Sequence, residues 1–255
     1  MPNIIRIYKK LLNGAYLILN PQNWLYVIKH PRALIANVSA IAKHPRLCWI
    51  TSQVSGGIGP AVGCLLYETA LKTKNDSRPI VEVGAWKGLS TVYLGLAAHS
   101  INKRVKSFEL FSGLPTADPL LDGGFRAGQF SSDVSEYENN LESCGITNSV
   151  DLTIGDARKT MLPSIHGQGF CMAFLDVDVH DVMSELFSQL WTISKGNEVI
   201  IVHDFHSPGI KKAIDDFSIE TKHSIKVRSL FGGGTAKIIL PSSTKNSPCS
   251  RALGR

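Results

Sequence analysis

The chain has 255 residues, 44% of them hydrophobic and 19% charged, with a formal net charge of +6. That length holds one well-formed core plus appendages, and no run reaches the roughly 18 apolar residues of a membrane span, so a bundle of spanning helices is excluded. Residues 1–67 contain no Asp or Glu and seven basic side chains, whereas the remaining 188 residues carry 20 basic and 21 acidic ones. The basic balance is therefore an N-terminal property, and a general nucleic-acid-binding reading is set aside.

In chain order, Ile4, Ile5, Tyr8, Leu11, Leu12, Tyr16 and Leu19 have helical spacing with Arg6, Lys9 and Lys10 between them, which predicts an amphipathic helix over 3–19 ended by Pro21. A second helix starts at Pro31, with Leu34, Ile35, Val38 and Ile41 on one side, and Pro45 stops it. A third covers 56–73 and leads through the Asn75-Asp76-Ser77 turn into a first strand at 79–83. A helix over 89–98 and a strand over 104–109 follow. The segment from Phe111 to Ser135 then carries six glycines and prolines between Gly113 and Gly128 and is too long for an ordinary connection. Loops of that length are usually lids or binding loops. Beyond it the pattern gives a helix over 134–144, a strand over 150–154, a strand from Cys171 to Asp178, a helix over 180–193, a strand over 198–204, a helix over 208–219 and final strands at 224–230 and 235–240. The tail after Pro241 is polar and basic. Alternating strands and helices predict an α/β fold with a doubly wound, mostly parallel sheet. The expected organisation is a basic helical extension over 1–55, a core domain over 56–241 and a disordered tail over 242–255.

The stretch VEVGAWKGLST, Val81 to Thr91, is the most informative in the chain. It reads as a buried strand, a tight glycine turn and the first turn of a helix, a bend that lets a ligand press on main-chain N–H groups. Glu109 closes the next apolar run, where its carboxylate can hold ribose hydroxyls. The spacing excludes two phosphate cradles. A dinucleotide fingerprint wants glycine two residues after Gly84, where Trp86 stands, and a P-loop wants a Lys-Ser/Thr pair after Gly88, where Leu89 and Ser90 stand. Gly84 and Gly88, four apart after a strand carrying Glu82, resemble the first motif of the class I S-adenosylmethionine-dependent methyltransferases.

Polar residues gather where the strands end: Glu109, Asp156, Asp176, Asp178, His203 and Asp204. Carboxylates at the end of an apolar strand are costly unless paired or bound to a cation. Asp176 and Asp178, two apart, are expected on one side of strand four, beside His203 and Asp204 on the neighbouring strand. Such a cluster predicts a site for a divalent metal.

Four segments narrow the resemblance: FELFSGLP (Phe108–Pro115), LDVDVHDVMSELFSQLW (Leu175–Trp191), VIIVHDF (Val199–Phe205) and GIKKAIDDF (Gly209–Phe217). In this order they resemble the macrocin O-methyltransferase-like family, bacterial enzymes that methylate sugar hydroxyls, over residues 79–240. The resemblance implies a seven-stranded Rossmann-like methyltransferase fold, S-adenosylmethionine as cofactor and a hydroxyl of a sugar or glycoconjugate as acceptor. It implies that Gly84, Ala85, Gly88 and Ser90 shape the wall for the methionine part with Glu82 beneath, that Glu109 takes the ribose and that Asp156 meets the adenine. Asp176 borders both cofactor and metal; Asp176, His203 and Asp204 would hold Mg or Mn, and Asp178, His203 or the less favoured His206 would act as base. Three departures stand out. Glu109 stands where the family more often has Asp, and a glutamate can do the same ribose job. His203 replaces the first aspartate of a family pair, and imidazole suits manganese, iron, cobalt or zinc better than magnesium. His180 replaces a common tyrosine, so the substrate pocket is expected to differ.

Other readings stay open at this stage. A catechol-type small-molecule acceptor would use the same cluster, and a non-catalytic methyltransferase-like module could dock through its basic N-terminus. Residues 1–50 read either as a helical cap, lid or homo-oligomer contact, or as a peripheral element on an anionic inner membrane surface. Five scattered cysteines without a C-x-x-C pair, and no visible signal peptide, point to a reducing cytoplasmic compartment.

Overall fold

In the computed structural model, which describes residues 31–221 and 225–241, the N-terminal part is built from helices that begin at prolines: α1 (Pro31–Lys43), α2 (Pro45–Thr51) and α3 (Pro60–Leu71). Proline suits a first helical turn because its missing N–H would have no partner there. Pro45 thus opens a helix that the sequence reading had not anticipated. The helix expected over 56–73 starts only at Pro60, with Gly59 extended at its N-cap. The helix expected over 3–19 and the tail after 241 lie outside the described residues.

The αβ alternation follows, with β1 (Ile80–Val83), α4 (Leu89–Ser100), β2 (Val105–Glu109), α5 (Val134–Ser143), β3 (Val150–Ile154), α6 (Ala157–Ile165), β4 (Met172–Leu175), α7 (His180–Ile193), β5 (Val199–His203), α8 (Pro208–Thr221), β6 (Lys226–Leu230) and β7 (Thr235–Ile239). Helix α6 was absent from the sequence reading; Pro163 inside it hides the helical pattern. Strand β4 ends at Leu175, short of the expected Asp178.

One sheet holds all seven strands in the order β3-β2-β1-β4-β5-β7-β6. Neighbours from β3 to β5 pair in parallel, while β7 runs antiparallel to β5 and β6. The reversal is local: Phe231, Gly232 and Gly233, all at positive φ, turn β6 directly back into β7. Strand side chains alternate between the two faces. Ile80, Val105, Met172, Phe174 and Ile201 pack with the helices of one layer, α1 to α5. Val81, Val83, Phe108, Ala173, Leu175, Ile200 and Val202 pack with α6, α7 and α8 on the other. The sheet is covered on both faces, so its carboxyl edge is the opening left for a ligand.

Candidate active site

The site begins where β1 ends. Gly84 has φ +85°, and a Cβ there would lie 1.8 Å from the Asp176 carbonyl oxygen. Only glycine lets the end of β1 pass so close to the end of β4. The chain then turns tightly, Gly88 N–H donating to Ala85 O at 2.7 Å, and α4 starts. Within this turn Trp86 N–H donates to Glu109 Oε2 at 2.6 Å. The other carboxylate oxygen accepts from Leu110 N at 2.7 Å and Phe111 N at 3.0 Å. Three amides thus fix Glu109 at the mouth of β2, its carboxylate facing the cleft.

A cavity of about 380 Å³ opens above these strand ends. The glycine turn contributes Gly84, Ala85 and Trp86, with Ser90 from α4. Glu109, Asp156, Asp176, Asp178, His203 and Asp204 line it from the strand ends, as the sequence pattern predicted. Gly113, Leu114, Pro115, Phe125 and Phe130 of the long loop supply an apolar wall, and Gly56, Gly57 and Ile58 another. Trp86 does not fill the space; its indole meets Phe130 edge-on, with ring centroids 5.9 Å apart.

Two residues assigned to the cofactor, Glu82 and Gly88, do not line the cavity. Glu82 is fully buried on the layer of α4, where Oε2 accepts from Thr91 Oγ1 at 2.7 Å and Ser107 Oγ at 2.8 Å. Strand alternation turns it away from the cleft, so it braces the turn from behind. Burial outweighs these donors and pushes its carboxyl up to about 7. Gly88 likewise faces α5, where a Cβ would meet Tyr137 at 3.0 Å. Asp156 borders the cavity, but it caps α6 through Arg158 N at 3.0 Å and binds the Arg158 guanidinium at 2.7 Å. That pairing holds its pKa below the usual range.

The acidic cluster forms, by a different geometry from the one expected. Because β4 has ended, strand alternation does not place Asp178; a positive φ of 60° does. Asp204 turns in with φ 49°. His203 Nδ1 lies 3.1 Å from Asp176 Oδ1 and 3.1 Å from Asp204 Oδ2. Burial opposes charge on His203, but the two carboxylates outweigh it and raise the imidazole to about 11. Burial, and after it the Asp176 charge, pushes Asp178 up to about 9. The acidic neighbours thus favour the charged imidazole, and burial favours the neutral Asp178 carboxyl; ligation of a metal would require His203 to give up that proton.

Asp176, His203 and Asp204 can each offer one ligand atom, all within 4.8 Å of one another. Separations of 3.1 Å match adjacent ligands around a metal with bonds of about 2.1 Å, which stand roughly 3 Å apart. The donor set fits a divalent ion, and its nitrogen fits manganese, cobalt, iron or zinc better than magnesium. His206 is 66% exposed, 3.8 Å from Asp204 and outside the lining. His180 is also outside it, with Nδ1 at 2.9 Å from Asp181 and Nε2 at 3.7 Å from Asp216.

Sequence reasoning missed Asp122. It is 2% exposed; Oδ1 accepts from His180 N at 2.8 Å and Oδ2 from Asp118 N at 2.6 Å. It pins the long loop to the start of α7. One of three aspartates in a glycine-rich loop, it gave no signal of that.

Residues 81–205 match the family described as a methyltransferase domain. No curated protein matches the sequence. Among solved structures, the O-methyltransferase NovP is 15% identical with a TM-score of 0.59, over 69% of this chain and 79% of its own. The calicheamicin methyltransferase CalS11 is 15% identical with a TM-score of 0.60, over 86% and 93%. TomG from Streptomyces achromogenes, an O-methyltransferase involved in tomaymycin synthesis and solved with S-adenosylmethionine, is 18% identical with a TM-score of 0.52, over 81% and 89%. At these identities the likeness is one of fold.

Proposed function

We propose that this chain, which carries a class I S-adenosylmethionine-dependent methyltransferase domain, is a metal-assisted O-methyltransferase acting on a sugar or glycoconjugate hydroxyl. The observation that carries the reading is a single cavity with Glu109 at one strand end and the Asp176–His203–Asp204 cluster at others. The first is the place for a nucleoside; the second is a set of donors for a cation that two adjacent hydroxyls could share. The sugar acceptor is supported by the resemblance to macrocin O-methyltransferase-like enzymes over residues 79–240.

Methyl transfer from a sulfonium is an in-line displacement, so the protein must align donor and acceptor and remove the acceptor proton. Gly84 and Ala85 let the methionine part lie against the main chain. Glu109 exchanges some of its amide contacts for the ribose hydroxyls. Asp176, His203 and Asp204 would hold a divalent metal, which when bound lowers the pKa of a coordinated hydroxyl. Asp178, which borders the same cavity beside these three residues, is the group in place to take the proton from the acceptor oxygen. The Phe125–Phe130 wall keeps water from the sulfonium.

Calorimetry tests the cofactor half. Purified protein binds S-adenosylmethionine, and Glu109→Ala abolishes binding while the protein stays folded; a folded wild type that binds nothing overturns the reading. The metal half is tested by titrating manganese and magnesium into wild type and His203→Asp. The variant restores an all-oxygen set, so its preference shifts toward magnesium by about tenfold or more relative to wild type. An unchanged preference removes His203 from the ligand set.

A further inference from the structure

Helix α1 carries apolar side chains on two sides, and among the described residues only one of them is covered. Toward the domain, Ala40 is buried, and Asn37 Oδ1 accepts from Ala61 N at 2.9 Å at the start of α3. On the outer side Ile35, Val38 and Ile41 follow at spacings of three and are 68%, 55% and 36% exposed. Helix α2, packed against α1, adds Trp49 at 42%. Clustered large apolar side chains facing water mark an interaction surface.

The charge around this face selects its partner. Arg32 stands one turn before Ile35 on the same stripe, and Lys43 and Arg46 stand where α1 passes into α2. The first acid of the whole chain is Glu68, and Lys43 and His44 already occupy it at 2.6 and 2.7 Å. A second copy is disfavoured, because a two-fold interface would set this cationic face against itself. A lipid surface satisfies both features, with an acyl boundary for the apolar stripe and phosphates for the arginines. Among the described residues no helix is long and apolar enough to cross a membrane, so the contact is a peripheral one.

We propose that the outer face of α1 and α2 docks on an anionic lipid bilayer. Ile35, Val38, Ile41 and Trp49 enter the headgroup–acyl boundary, and Arg32 and Arg46 meet the phosphates. The chain from Trp49 reaches the cavity wall at Gly56 to Ile58 within a few residues, so the docking element is joined directly to the rim of the site.

The test is co-sedimentation of the full chain with vesicles of phosphatidylcholine alone or with phosphatidylglycerol added. The chain sediments with the anionic vesicles, less so as salt rises. Ile35→Asp/Val38→Asp and, separately, Arg32→Glu/Arg46→Glu each lower that partitioning by about tenfold without lowering the melting temperature, since all four side chains are exposed. Three results overturn the proposal: no sedimentation with anionic vesicles, binding untouched by Ile35→Asp/Val38→Asp, which would assign it to residues 1–30, or a solution dimer that this variant dissociates, which would assign the face to a second copy. None of these measurements reads methyl transfer, so they stand or fall apart from the catalytic reading.

Discussion

Glu82 shows how one side chain behind a binding turn can be costly and still useful. It has no exposure, its Oε1 has no hydrogen-bond partner, and burial pushes its carboxyl from 4.5 up to about 7. A carboxyl with a raised folded pKa binds more protons folded than unfolded between those two values. Its contribution to stability is therefore complete below pH 4.5 and is lost as pH rises through 7, a change on the order of 3 kcal/mol for a shift of this size. Glu82→Gln has no proton to lose. Subtracting the variant's stability-versus-pH curve, measured by denaturant unfolding, from that of wild type isolates this loss as a falling slope between pH 4.5 and 7. A flat difference would mean that the carboxyl is solvated and that the turn is less tightly sealed than it looks. The sequence displayed Glu82 as an acid next to a glycine turn, which invites a cofactor role. Its actual side of the sheet is set by strand alternation relative to a neighbour, β2, that the local sequence does not specify.

At the scale of elements, the long loop after β2 was readable as a lid but its attachment was not. Its ends close on each other through Leu114 N to Gln129 O and Gly128 N to Leu114 O, both 2.9 Å. Asp122 ties its tip to α7, and a Cβ on Gly209 would come within 2.6 Å of that carboxylate, so α8 also starts close against it. Asp122→Ala leaves the buried amide of His180 without an acceptor, at a cost of about 1–3 kcal/mol. For a domain of this size the melting temperature falls by about 2–4 °C per kcal/mol. Protease cleavage between residues 113 and 130 speeds up as well, because the loop loses a buried polar anchor to α7. A lower melting point with unchanged cleavage would show that the aromatic contacts of Phe125 and Phe130 hold the loop by themselves. Elsewhere the pattern of elements was largely legible, since strands buried on both faces read as apolar runs. The exceptions have physical causes. Helices α2 and α6 are short and carry prolines, and β4 stops early because the positive-φ turn at Asp178 cannot continue a strand.

Across the whole molecule the two ends of the sheet divide the work. The carboxyl end carries the cavity and its acids; the amino end is held by ions. Arg78, just before β1, reaches across β4 to Glu198, just before β5, and also binds Asp76 at 2.7 Å. Glu198 is fully buried, and its remaining donors are Ser194 Oγ at 2.7 Å and Lys195 N at 2.9 Å. No reading of the sequence could pair residues 120 positions apart, whereas parallel strand order makes their meeting unavoidable. Arg78→Ala leaves a carboxylate in the interior without its cation. Removing one partner of a buried pair costs about 3–5 kcal/mol, and two surviving donors place this case at the low end. Five residues, Pro79 to Val83, separate Arg78 from Gly84, and the six steps between them span roughly 20 Å of extended chain. The loss should therefore appear in the denaturant midpoint and leave the calorimetric affinity for S-adenosylmethionine within about twofold of wild type, a change of less than 0.5 kcal/mol or so. An affinity that fell together with stability, in protein still folded at the temperature of the titration, would mean that strain at the amino end moves the strand ends where Glu109, Asp176 and His203 stand, and that the sheet couples its two ends and does not merely separate them.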